Sequence, residues 1–105
     1  MNIKELANNL GLEEAEYVEL VELLIETGTA DLDKLQSAVD NGDAVNAANA
    51  AHSLKGAAAN LGLMEFSQTA KEIEGNARKG ILEGASEAAQ ALKEKLDTIA
   101  GCVRQ

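Results

Sequence analysis

Chemistry in this chain of 105 residues centres on His52, its single histidine. His52 lies in Ala51-His52-Ser53-Leu54-Lys55-Gly56, which runs on to Leu61-Gly62. An imidazole with an ordinary pKa of about 6.5 is largely neutral at physiological pH, and the neutral ring is a good nucleophile. Phosphorylation of a ring nitrogen gives a labile phosphoramidate that can pass its phosphoryl group onward. A neighbouring cation would steady the phosphoryl charge during transfer. Lys55 follows by three positions, so on a helix the two side chains share a face. Gly56 costs stability inside a helix, and its presence there implies that something must approach the backbone closely. Each residue also has an ordinary reading. From spacing alone, an exposed histidine with no task explains His52 at least as well as a reactive one. Most lysines serve only solubility.

The element that must present His52 is a helix from about Ala44 to Leu61. Ala47, Ala51, Leu54, Ala58 and Leu61 step by four and three and form its core stripe. At about 100° per residue, His52 points roughly 140° away from that stripe, Lys55 roughly 80° and Gly56 roughly 180°. Ala48 and Ala59 fall roughly 100–120° off and flank His52. The imidazole therefore faces away from the core. Asn41-Gly42-Asp43 precedes this helix, with Asp43 suited to its N-cap.

The other segments read as its scaffold. A short helix over the first ten residues carries Ile3, Leu6, Ala7 and Leu10 and ends at Gly11. The longest stripe is Val18, Val21, Ile25, Gly28, Leu32, Leu35 and Val39, widened by Leu20, Leu24 and Ala38. Its phase continues across Thr27-Gly28-Thr29, which predicts one long helix with a soft or kinked middle. A further helix runs from Met64 to about Lys79 on Phe66, Ala70, Ile73 and Ala77. The last runs from about Gly84 to Val103 on Ala85, Ala89, Leu92, Leu96, Ile99 and Val103. Absence of proline, abundant alanine and only 2% aromatic residues all favour helix over sheet. Four amphipathic helices with short connections predict an all-α, antiparallel up-down-up-down four-helix bundle with a short extra N-terminal helix, residues 1–105 forming one domain.

Composition excludes several function classes. A net charge of −9 is a poor match for nucleic acid or an anionic membrane surface. No apolar run is long enough to span a bilayer, and Met1-Asn2-Ile3-Lys4-Glu5 lacks the apolar run of a signal peptide. Cys102 is the only cysteine, so there is no internal disulfide and no thiol-based metal site. No G-x-x-x-x-G-K-[ST] loop is present, which argues against autokinase activity. The chain reads as cytoplasmic. The initial methionine and the extra N-terminal helix slightly favour a free-standing protein over a domain of a larger kinase.

The run Ala51-His52-Ser53-Leu54-Lys55-Gly56-Ala57-Ala58-Ala59-Asn60-Leu61-Gly62 closely resembles the signature of histidine-containing phosphotransfer (HPt) domains, His-x-Leu-Lys-Gly followed by Leu-Gly. Asn41-Gly42-Asp43 upstream and Ile73-Glu74 downstream are similar to the family's pattern as well. The resemblance implies that His52 is the phosphoacceptor, reacting through Nε2, with Lys55 assisting phosphoryl binding and Gly56 giving the partner clearance. It implies a role for Glu74 in hydrogen-bonding the other ring nitrogen and orienting the ring; an ordinary surface carboxylate is the alternative. The implied partners are a response-regulator receiver domain and a hybrid sensor histidine kinase, with Mg²⁺ held by the receiver and no cofactor on this chain. Val45, Ala48, Asn49, Ala59 and Asn60 are the candidate docking contacts, and a monomer is expected. The alternative is a helical docking module that binds a partner without phosphotransfer. A small acid–base catalyst using His52 and Glu74 ranks last, because nothing else in the chain supplies a pocket or an oxyanion site.

Overall fold

A computed structural model of the chain describes residues 1–104. The described residues form five helices: α1 (Ile3–Asn9), α2 (Glu14–Asp40), α3 (Ala44–Asn60), α4 (Met64–Arg78) and α5 (Ala85–Val103). Helix starts are set locally. The Asp43 carboxylate accepts a hydrogen bond from the Asn46 N–H (3.1 Å), capping α3. Asn2 does the same for α1 through the Glu5 N–H, and the Glu16 carboxylate accepts from the Glu13 N–H at the start of α2. At the end of α3, Gly62 takes a φ of +73°, and the Leu63 N–H reaches back to the Ala58 carbonyl. Glycine adopts that left-handed conformation without the penalty other residues carry.

Cross-helix bonds reveal the topology. Tyr17, near the start of α2, donates its hydroxyl to the Leu61 carbonyl just past the end of α3 (2.6 Å), while Asp31, further along α2, accepts from Ser53 earlier in α3 (2.8 Å). These two helices are therefore antiparallel. Ser67 of α4 donates to the Lys55 carbonyl and Glu74 meets His52, so α3 and α4 also run oppositely. Gly28 of α2 lies against Leu96 of α5, whereas Gln36 reaches Ser86, so α5 is antiparallel to α2. α2, α3, α4 and α5 close into a ring of neighbours, with α1 against α2. This is the four-helix bundle with an added N-terminal helix that the periodicity predicts.

The core holds Tyr17, Phe66, Leu35, Leu54, Leu92 and Val21, all fully buried. Such burial of apolar side chains is the main force holding the helices together. Tyr17 is part of this core although the stripe of α2 did not include it. Burial pushes its phenol above the ordinary value of 10.0, which keeps it a hydrogen-bond donor. α2 is continuous through Thr27-Gly28-Thr29, and the two threonine hydroxyls donate back to the Leu23 and Ile25 carbonyls. A Cβ on Gly28 would already be in contact with Leu96 (3.4 Å) and Leu54 (3.8 Å), so a larger side chain would push α3 and α5 away. Leu20 departs from expectation. It is 41% exposed rather than widening the core stripe, because its side of α2 is not covered by a neighbouring helix. Leu10 is likewise exposed. No helix among the described residues is long and apolar enough to cross a membrane.

Candidate functional site

α3 is packed between α2 and α4, and alanines at most of its contact positions let both neighbours come close. Its buried arc extends from Ala50 on the α2 side to Ala48 on the α4 side. Ala48 is only 3% exposed and belongs to the hydrophobic core. This corrects its assignment to the outer face: at roughly 100° from the stripe it falls under α4, whereas His52 at roughly 140° clears it. The remaining docking candidates, Val45, Asn49, Ala59 and Asn60, are all exposed, Val45 to 71%.

The His52 side chain is 61% exposed on this outer face. A Cβ added at Gly56, one turn along, would meet nothing within 4 Å. No internal packing therefore requires glycine there, and the backbone is left open to whatever approaches His52 from outside. Two cross-helix bonds brace this stretch of α3. Ser53 donates to Asp31 of α2, and Ser67 of α4 donates to the Lys55 carbonyl (3.0 Å).

Glu74 on α4 is the hub of the site. It follows the core residue Ile73, lies roughly 70° from the α4 stripe and so turns toward α3. It is 5% exposed and accepts hydrogen bonds from three side chains. His52 Nδ1 lies 2.7 Å from Oε2 and Lys55 Nζ 2.7 Å from Oε1. Arg78 binds Oε2 through its terminal nitrogen at 2.6 Å and through Nε at 3.2 Å. Burial alone would raise the Glu74 carboxyl. The hydrogen bonds from Lys55, Arg78 and His52, with the Lys55 charge, outweigh it and hold the carboxyl at about 2. Glu74 is therefore a carboxylate at neutral pH and can only accept.

That fixes the imidazole. With a carboxylate on Nδ1, this nitrogen carries the proton, and in the neutral ring the lone pair belongs to Nε2. Nε2 makes no hydrogen bond among the described residues. The arrangement is an oriented, exposed nucleophilic nitrogen with two cations nearby in a chain of net charge −9. The three side chains read together from the sequence, His52, Lys55 and Glu74, do meet here. Gly56 lies beside them on the open face. Arg78 and Ser67 join the site without appearing among the sequence candidates. The i, i+4 spacing of Glu74 and Arg78 was a legible signal for an ion pair on one helix face. Nothing in the sequence marked Ser67. Among the described residues no three His, Cys, Asp or Glu side chains gather as a metal-ligand set.

A comparison with protein families matches residues 19–102 to the family described as Hpt domain. Comparisons with curated proteins and with solved structures returned no match.

Proposed function

The chain belongs to the Hpt domain family, and from that premise we propose that it carries a phosphoryl group on His52 between receiver-domain aspartates of a two-component phosphorelay. The family's role in phosphorelays covers the general class. The reacting atom follows from the geometry of the ring. The observation that carries it is the exposed His52 ring whose Nδ1 is held by the buried, ionised Glu74 (2.7 Å), leaving Nε2 as the nucleophile.

In the transfer, the Nε2 lone pair attacks the phosphorus of the receiver's aspartyl phosphate. The N–P bond forms, the P–O bond to aspartate breaks, and the aspartate leaves as a carboxylate. Phosphorylated at Nε2 and still protonated at Nδ1, the ring becomes cationic. Glu74 is poised to counter that charge, because its carboxylate already accepts the Nδ1 proton. Lys55 stabilises charge on the phosphoryl oxygens. The same steps in reverse pass the group to a second aspartate. Positioning accounts for this chain's part in the chemistry. The Mg²⁺ belongs to the receiver, and this chain has no kinase activity of its own. Gly56, Val45, Asn49, Ala59 and Asn60 form the docking face on α3. The partners are response-regulator receiver domains and the receiver of a hybrid sensor histidine kinase, and the protein works as a cytoplasmic monomer.

The test is transfer of label from a phosphorylated receiver to the wild-type chain and to His52→Gln. Acid-labile, base-stable label on the wild type alone supports the reading. A His52→Gln chain that supports relay output as well as wild type would instead make this a docking module.

A further inference from the structure

Glu74 has two cationic partners, and they hold it differently. Arg78 comes from the same helix, four residues on, and grips Oε2 through two nitrogens (2.6 and 3.2 Å). Lys55 comes from α3 and holds Oε1 with a single ammonium at 2.7 Å. An ammonium engaged this way is not free to meet a phosphoryl group on His52. If it left, a nearly buried carboxylate would lose a partner, and an uncompensated buried charge is strongly unfavourable. Arg78 removes that obstacle. Its planar fork keeps the carboxylate compensated and correctly turned toward His52 after Lys55 has gone. Its guanidinium is half-exposed, so the pair draws part of its solvation from water.

We infer that Arg78 is a positioning residue: it anchors Glu74 so that Lys55 is free to exchange its Glu74 contact for the phosphoryl group on His52. Lys55 is the moving cation and Arg78 the fixed one. No other titratable side chain hydrogen-bonds Glu74 among the described residues; its partners are His52, Lys55 and Arg78. The transfer arm of the test rests on the phosphoryl-carrier reading, and the titration arm does not.

The experiment is a double-mutant cycle of Arg78→Gln and Glu74→Gln, with Arg78→Lys as the conservative variant. Rates of phosphoryl acquisition from a phosphorylated receiver are measured for each. Loss of one charge-assisted contact sets the scale, so Arg78→Gln should slow acquisition roughly tenfold. In the Glu74→Gln background Lys55 is already free, and Arg78→Gln should then change the rate less than about twofold. Arg78→Lys should recover part of the loss. An equal loss in both backgrounds would mean that Arg78 acts on the phosphoryl group directly and would overturn the inference. Independently, the Glu74 carboxyl is titrated by carbon NMR in the unphosphorylated chain. Arg78→Gln should raise its pKa and weaken the Nδ1 proton's hydrogen bond, and no change in either would also overturn the inference. If the wild-type chain accepts no phosphoryl group at all, the carrier reading fails and the titration alone decides the anchoring role.

Discussion

Replacing Glu74 with Gln should produce a stability defect that depends on pH in one direction only. The folded state holds the Glu74 carboxyl at about 2, against an ordinary value of 4.5. At about 1.4 kcal/mol per tenfold change in proton affinity, that difference corresponds to about 3 kcal/mol. Because the folded value is depressed, the stabilisation is fully present above about pH 5. It declines as pH falls through the window from 4.5 toward 2, where the folded chain must take up a proton the unfolded chain already holds. Glutamine resembles the protonated carboxyl in size and polarity. The gap between wild type and Glu74→Gln should therefore be about 3 kcal/mol at pH 7 and narrow to about 1 kcal/mol at pH 3. Urea unfolding of both chains at pH 7, 5, 4 and 3, followed by helical circular dichroism, measures it. Acidic groups that titrate alike in both chains cancel in the difference. A gap that is equal at pH 7 and pH 3, or smaller than about 1 kcal/mol at pH 7, would refute the cluster of His52, Lys55 and Arg78 around Glu74 as an energetic unit.

Two further outcomes separate fold from function. Gly56→Ala adds a Cβ that meets nothing in this chain, so urea unfolding should show stability unchanged or raised by up to about 1 kcal/mol, while transfer from a receiver slows. A variant that is both less stable and equally active would contradict the clearance role. Tyr17→Phe removes the buried hydroxyl that binds the Leu61 carbonyl at 2.6 Å and should cost about 1–2 kcal/mol in urea unfolding, without altering the rate at which His52 gains a phosphoryl group.

Much of the architecture was legible in the primary structure because helical periodicity is a local property. The stripe of α2 kept its phase through Thr27-Gly28-Thr29, and the helix is continuous there. Glycine at the centre of a long helix reads as a weak point in isolation. Against Leu96 and Leu54 it becomes a contact position, which only the neighbouring helices could disclose. Ala48 departs from its expected outer-face position for the same kind of reason. A stripe averaged over one helix has a centre but no edges, and the edge on α3 is drawn by where α4 lies. Leu20 shows the converse, an apolar residue at the margin of a stripe that no helix covers.

At the site, the type and outward direction of His52 followed from counting residues, as did the nearness of Lys55. The burial of Glu74 did not. At roughly 70° from its stripe a carboxylate is equally compatible with solvent or with an interhelical seam. The seam is tolerable because cations arrive from both helices, Lys55 from α3 and Arg78 from α4. The Glu74–Arg78 spacing was visible, but its link to His52 required knowing that α4 runs antiparallel to α3 in this register.

The central claim, that His52 is a phosphoryl carrier oriented by Glu74, is tested most directly by finding the bond that forms. The chain, labelled with nitrogen-15 in its histidine ring, is phosphorylated by a phosphorylated receiver and observed by phosphorus–nitrogen NMR. The account predicts one phosphorus coupled to Nε2 of His52, with Nδ1 still protonated and hydrogen-bonded. Phosphorus on Nδ1, or on a residue other than His52, would contradict it.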